Sequence, residues 1–295
     1  MLYNLKHIFR NLIRNRFYSA INIFGLAVGM AVIGFIALWL YGVLTFDAFH
    51  NNAKDTYLVA YTMKRSDGAE TTFDATSYGL VHVLEQIPAV RNIASVISSN
   101  DFASVRVNDQ FYSLRSVLVS SDWFTVFDYT LLDGSLENFG GNPFCAAFTS
   151  SEAQRLFGTE KAVGKVFIIG ERPFTVQAVI KDNPKNSSFV YDAIFPIEAQ
   201  RIDPSWELHK NDPNWFRPSI FVLLSKNADK ENITQSIDRY YFQERNMETA
   251  SWLLPLKNMY FDDQISQPAF ARGDPKTIYL LSILAILLLV VACLN

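Results

Sequence analysis

Cysteine and histidine are scarce in this sequence of 295 residues. Cys145 and Cys293 are the two cysteines, and His7, His50, His82 and His209 stand far apart. Two thiols cannot build a disulfide framework. No histidine sits in H-E-x-x-H or beside a cysteine pair, so a metal site has no local support. A basic excess is also lacking: 26 Lys and Arg face 29 Asp and Glu, a formal charge of −3, without the cationic footprint of a nucleic-acid binder. With 49 % hydrophobic residues the chain is not disordered either. Charge is missing most tellingly from two stretches. Neither Phe17–Phe46 nor Thr277–Asn295 contains Asp, Glu, Lys or Arg. The first exceeds, and the second nearly reaches, the roughly 20 apolar residues that cross a bilayer, so both read as transmembrane helices.

Catalytic patterns are absent as well. Gly158–Val166 reads GTEKAVGKV, but a phosphate loop needs four residues between its glycines and a hydroxyl after the lysine; here five intervene and Val166 follows. Asp262 and Asp263 are adjacent carboxylates, which read as a solvated turn rather than an acid–base pair or a calcium site. No G-x-S-x-G occurs. His82, on a predicted helix, reads as a partly buried structural histidine, and His50 as an anchor of the segment leaving the membrane. The expectation is a protein that is not an enzyme and takes no cofactor or metal.

Charge then sets orientation. Lys6, Arg10, Arg14 and Arg16 crowd the first sixteen residues without an acid, while the remaining basic and acidic residues lie between the two apolar runs, where acids prevail. By the positive-inside rule, residues 1–16 stay cytoplasmic and the large middle segment is exported. Residues 17–46 are too long and too bulky near Trp39 and Tyr41 for a cleaved leader, and read as an uncleaved anchor. Leu2, Leu5, Phe9, Leu12 and Ile13 recur at helical spacing opposite the basic residues, as in an amphipathic helix lying on an anionic leaflet. Gly25 and Gly29 form G-x-x-x-G, a spacing that lets membrane helices approach closely.

The fold class expected is α+β: a membrane protein whose two transmembrane helices, 17–46 and 277–295, flank a two-lobed αβ extracytoplasmic domain over 47–276. Tyr57–Lys64, a helix over Ser77–Gln86 ended by Pro88, and Val90–Ser98 give the order strand, helix, strand. The order recurs in Ser219–Leu224, Asp229–Glu244 and Ser251–Leu256. Between them Ser113–Val119, Phe144–Thr149, Val166–Ile169 and Phe174–Ile180 read as strands of an inserted lobe over about 110–215, with a helix near Glu152–Leu156 capped by Ser150 or Ser151. Trp206 and Trp215 are candidates for a contact surface, with buried packing expected for at least one of them.

RNLIRNRFYSAINIFGLAVGMA, FDAFHNNAKDTYLV, FTSSEAQRLFGTEKAVGKVF and FTVQAVIKDNPKNSSFVYDAIFPI resemble the MacB-like/FtsX-like ABC transporter permeases, and GDPKTIYLLSILAILLLVVACLN resembles the approach to that family's second membrane helix. The resemblance spans nearly the whole chain. It implies a MacB-like periplasmic core domain of two αβ subdomains in the inner membrane of the cell. It also implies a cytoplasmic ABC ATPase subunit on another chain, a homodimer or paired permease, and a periplasmic adaptor. Such permeases work by mechanotransmission, in which ATP-driven dimerisation below the membrane moves lobes above it. The family continues into further membrane helices, so the chain is expected to be the amino-terminal part of a longer polypeptide. Two other functions share this layout: an FtsX-like regulator of a cell-wall hydrolase, and a two-helix sensor ectodomain.

Overall fold

The computed structural model describes residues 16–64, 67–202, 204–209, 212, 215–266 and 269–294. The chain forms two compact units. One contains the two apolar helices, and the other is Phe46–Gly273.

In the first unit, α1 (Arg16–Leu44) has 29 residues, about 44 Å at 1.5 Å per residue, and its Ser19–Leu44 stretch is long and apolar enough to cross a membrane. Phe17, Phe24, Met30, Phe35 and Leu38 point outward, which only an apolar solvent tolerates in such density. The last helix of the chain spans Pro275–Leu294, with a shorter apolar stretch of Pro275–Val291. Asp274 caps it by accepting from the Lys276 amide at 3.0 Å and the Thr277 hydroxyl at 2.8 Å, and Pro275 occupies the first turn, where no amide partner is needed. The two helices pack together. Partly covered residues fall on one stripe of each: Asn22, Gly29, Ile33, Ile36, Leu40 and Val43 on the first, Ile278, Ser282, Ala285 and Leu288 on the other.

The second unit is built from a split β-α-β pair. Strands β1 (Thr56–Lys64), β4 (Val90–Val107), β11 (Phe216–Leu224) and β12 (Thr249–Pro255) lie in the order β12-β1-β11-β4, all antiparallel. Short strands β2 (Glu70–Phe73) and β3 (Ala75–Ser77) flank β1 and β11. One helix, Leu80–Glu85, joins β1 to β4, and another, Lys230–Arg245, joins β11 to β12. Strand alternation divides the apolar residues between two faces. Tyr57, Val59, Tyr61, Ile220, Val222 and Leu224 meet the helices, through Leu80, Leu84, Ile233, Ile237 and Tyr241. Leu58, Ala60, Ala94, Val96, Phe221 and Leu223 point to the opposite face. The Lys230–Arg245 helix starts at Asp229, whose carboxylate accepts from the Glu231 and Asn232 amides, and stops at Asn246 in the left-handed conformation, φ 50°.

Between β4 and β11 the chain closes a small barrel. Strands β5 (Gln110–Val119), β7 (Cys145–Thr149), β8 (Val166–Ile169), β9 (Arg172–Ile180) and β10 (Ala193–Pro196) join the far half of β4 in the ring β4-β5-β10-β7-β9-β8, which returns to β4. The ring is filled by Val105, Leu114, Phe148, Phe167, Phe174 and Phe195, with Phe148 and Phe167 edge-on at 5.1 Å and Phe174 and Phe195 at 5.8 Å. The helix Ser150–Phe157 packs on it through Ala153 and Leu156. Strand β6 (Leu131–Gly134) extends the sheet beside β9. β4 therefore serves both lobes. Its first half pairs with β11 and its second with β8, and a register shift separates Ser98 from Phe102.

Several local expectations need correcting. The Ser150–Phe157 helix is not capped by its own serines; Asp182, on another loop, accepts from the Ser150 hydroxyl at 3.1 Å and the Ser151 amide at 3.0 Å. Sequence-local reasoning cannot see a cap 31 residues away. Gly158 ends that helix at φ 68°, a conformation glycine adopts without a Cβ clash. His82 is exposed rather than partly buried, with its Nδ1 3.3 Å from Glu85. Trp206 is buried, with its ring 5.2 Å from the half-buried Trp215 and 5.7 Å from Tyr78.

Candidate functional site

The chain reaches Phe46–Gly273 by an exit segment, residues 46–55, and leaves it by a return segment, residues 256–273. Both lie on the sheet face opposite the helices, where Phe127, Phe139, Phe189 and Trp123 also pack. The outer surfaces of barrel strands β7, β9 and β10 reach the same core through Ala147, Ala178, Ile180 and Ile194. Two lobes and two connections thus share one core.

The exit segment is a run of turns fastened by main-chain bonds. Asp47 sits at φ 52° and is fully buried. Its amide donates to the Asn186 carbonyl at 2.9 Å, and its Oδ1 accepts from the Ser188 amide at 2.8 Å. Aspartate tolerates this left-handed backbone because its short carboxylate bonds locally. Burial pushes the Asp47 carboxyl up, and bonds from Ser188 and Ser187 offset part of that. His50 is buried among aromatic rings, 4.1 Å from Phe49, 5.2 Å from Phe127 and 6.1 Å from Phe189. Its Nδ1 accepts the Asp128 amide at 3.0 Å. Asn51 returns the clasp, its amide and side chain donating to the two Asp128 oxygens at 2.6 and 2.7 Å. Burial lowers the His50 pKa to about 4 against the attraction of Asp128, so the ring is neutral at pH 7.

The return segment is held differently. The short helix Leu256–Met259 buries Leu256 and Met259. Asp262, expected in a solvated turn, has instead a side chain only 4 % exposed that pairs at 2.7 Å with Arg272, whose side chain is 10 % exposed. Arg272 also donates to the Asp262 carbonyl at 2.9 Å, and Asp262 accepts the Ile265 amide at 3.2 Å. Asp263 beside it is exposed. The difference arises because a strand pattern cannot anticipate that residues 262 and 272 fold back on each other. Asp74 accepts the Ala269 amide at 3.3 Å; burial raises its pKa, opposed by that bond and by Arg272. Ile265 bridges to Thr72, and Phe270 lies 5.3 Å from Phe189 and 5.5 Å from Phe221.

The two segments are also joined to each other. The Phe46 ring stacks on Tyr260 at 3.6 Å and 22°. Ser188 lies between them, its amide bonded to Asp47 and its carbonyl accepting from Ala271 at 3.4 Å. The Gly273 amide donates to the Tyr260 carbonyl at 2.8 Å, and a Cβ on Gly273 would overlap the Tyr260 ring.

The residues singled out in the sequence lie elsewhere. Gly29 falls on the covered stripe of α1, whereas Gly25 is exposed with open space around it. Arg16 opens α1 over the Phe17 ring, and Lys6, Arg10 and Arg14 lie outside the described residues. Among the described residues no three His, Cys, Asp or Glu side chains converge as a metal site would require. Burial raises the Cys145 thiol to about 11, so it is not an activated nucleophile. What the joint can do is mechanical: it fixes both connections to one core.

The chain thus combines a helix long and apolar enough to cross a membrane with a separate sheet-plus-barrel unit. Residues 19–240 match the MacB-like periplasmic core domain family. The chain belongs to that family, whose domains are found in ABC-type transporter permeases. A domain of a permease from Porphyromonas gingivalis superposes with a TM-score of 0.61 at 20 % identity, covering 79 % of this chain and 98 % of that one. The extracellular domain of the ABC-type transporter YknZ from Gram-positive bacteria gives 0.51 at 12 % identity, covering 68 % and 99 %. At such identities the likeness concerns the fold. No curated protein matches the chain.

Proposed function

We propose that this chain is a permease subunit of an inner-membrane ABC transporter, catalytically silent itself, that converts ATP hydrolysis on a cytoplasmic partner chain into movement of its exported lobes. The multi-pass membrane protein acts as a homodimer or paired permease with a periplasmic adaptor, in efflux or export. The observation that carries this reading is the joint: α1 continues into the exit segment and the return segment continues into the last helix, and the two segments are bonded through Phe46, Tyr260 and Ser188. Force arriving along either connection therefore reaches the core that both lobes share. In energetic terms, ATP must favour one of two arrangements of the paired permeases, and a firm joint keeps that preference from dissipating in a loose linker.

The test reconstitutes the permease with its ATPase subunit in nanodiscs, carrying a spin label at Phe111→Cys, an exposed position near the barrel hairpin. The distance between labels on paired copies is expected to change between ADP and trapped ATP states. Phe46→Ala should leave ATPase activity within about twofold while reducing that change. Labels that do not respond to ATP in the unmodified joint would overturn the reading.

A further inference from the structure

We propose that His50 is an acid-released catch: protonating its ring detaches the exit segment from the Asp128 loop while the sheet stays folded. The geometry sets up the conflict. Nδ1 is committed as an acceptor to the Asp128 amide at 3.0 Å, so a proton on that nitrogen would place donor against donor. Nε2 is buried without a hydrogen-bond partner, leaving an imidazolium no second acceptor in place. The surroundings are apolar rings, with the His50 side chain 1 % exposed, and a cation there lacks solvation.

The titratable and charged groups on the packed elements are few. Its own segment carries Asp47, Lys54 and Asp55; the stretch after Val126 carries Asp128 and Tyr129; the 181–191 loop carries Lys181 and Asp182, which line a cavity with Phe49 and Asp128, and Lys185 and Tyr191. Phe221, on the sheet beneath, brings no charge. Asp128 is the group within salt-bridge reach, at 3.9 Å, but its carboxylate already accepts both Asn51 bonds. An imidazolium can satisfy itself only by turning toward that carboxylate or toward water, and either move breaks the clasp. The lowered His50 pKa places the transition in acid, between the ordinary histidine range and about 4. This inference does not depend on the ATPase-coupling reading, because the release is local to this chain.

The experiment is amide hydrogen exchange on the full chain in detergent micelles, corrected for the intrinsic pH dependence of exchange. Between pH 7 and 4.5, protection of residues 47–52 and of the Asp128 amide should fall roughly 50-fold, the ratio expected if opening exposes a histidine titrating at 6.5 instead of about 4. Strand amides at 57–60 and 220–223, which exchange only when the whole unit unfolds, should stay better protected than the exit segment at both pH values. His50→Asn keeps an acceptor near the Nδ1 position but cannot take the proton, so its exit-segment protection should be flat with pH. Equal pH dependence in His50→Asn, or exit-segment protection as high as that of the strands, would overturn the catch. Should that variant misfold, the ring carbon resonance of His50 decides: protonation near 6.5 without segment opening refutes the proposal, and protonation coincident with opening supports it.

Discussion

The exit and return segments do the same job with different chemistry. The exit segment uses main-chain amides, a neutral buried histidine and an exposed clasp between Asn51 and Asp128. The return segment uses a buried guanidinium–carboxylate pair, Arg272 with Asp262, beside a second buried acid, Asp74. Breaking one partner of a buried pair leaves an uncompensated charge, whereas a neutral contact costs mainly its packing and one hydrogen bond. The return segment is therefore the attachment most sensitive to mutation, and the exit segment the one most sensitive to acid.

The sharpest break should come from Arg272→Met, which strands two buried carboxylates. It is expected to destabilise Phe46–Gly273 by about 3–5 kcal/mol in urea unfolding, while the Asn51–Asp128 clasp amides remain protected under native conditions. Acid comes next. His50 has a folded pKa below its unfolded value, so its contribution is complete above pH 6.5 and is lost as pH falls through about 4. Stability should drop by up to about 3 kcal/mol over that interval, read against His50→Asn in urea titrations at each pH. Asp47 and Asp74 work in the opposite sense, since their raised folded pKa values favour the folded state once they are protonated; Asp74→Asn should therefore steepen the net acid loss. Gly273→Ala pushes a methyl into the Tyr260 ring and should cost about 1–3 kcal/mol, with loss of the Phe46–Tyr260 stacking as its fluorescence signature. Phe46→Ala removes that stacking from the other side for about 1 kcal/mol. A reductant should have no effect on the melting of residues 46–273, whose one cysteine is the buried, free Cys145.

Much of the sheet lobe was legible in the sequence because its strands are compact apolar runs and its first helix carries a local stop signal. Tyr57–Lys64 and Ser219–Leu224 stand out as compact runs rich in aromatic and branched residues, and Pro88 marks a helix end chemically. Barrel closure was not legible. It depends on β8 reaching β4 as well as its hairpin partner β9, a pairing between residues some sixty apart in the chain, and four-residue strands such as Ala193–Pro196 lack a periodic signature. The joint was least visible of all. Ser188 is an ordinary serine in NSSF, and its role arises because its amide and carbonyl face two different segments. His50 was read as an anchor, but nothing in its neighbours announces Asp128. Asp262 was misread because adjacent acids suggest solvent, and its partner Arg272 lies ten residues on.

The shared strand β4 limits how this domain can vary through descent. Its 18 residues run through both lobes, with a register shift against β5 near 98–102 and another against β11 at 90–92. Side chains alternate along a strand, so an inserted or deleted residue on either side of the 98–102 shift would turn the remainder inside out in one lobe. The hairpin turn at Asn108 and Asp109 carries no such constraint, since both residues already adopt left-handed turn geometry beyond the last pair. Length changes among relatives should therefore accumulate at this tip, leaving the strand itself a fixed ruler against which the two lobes are spaced.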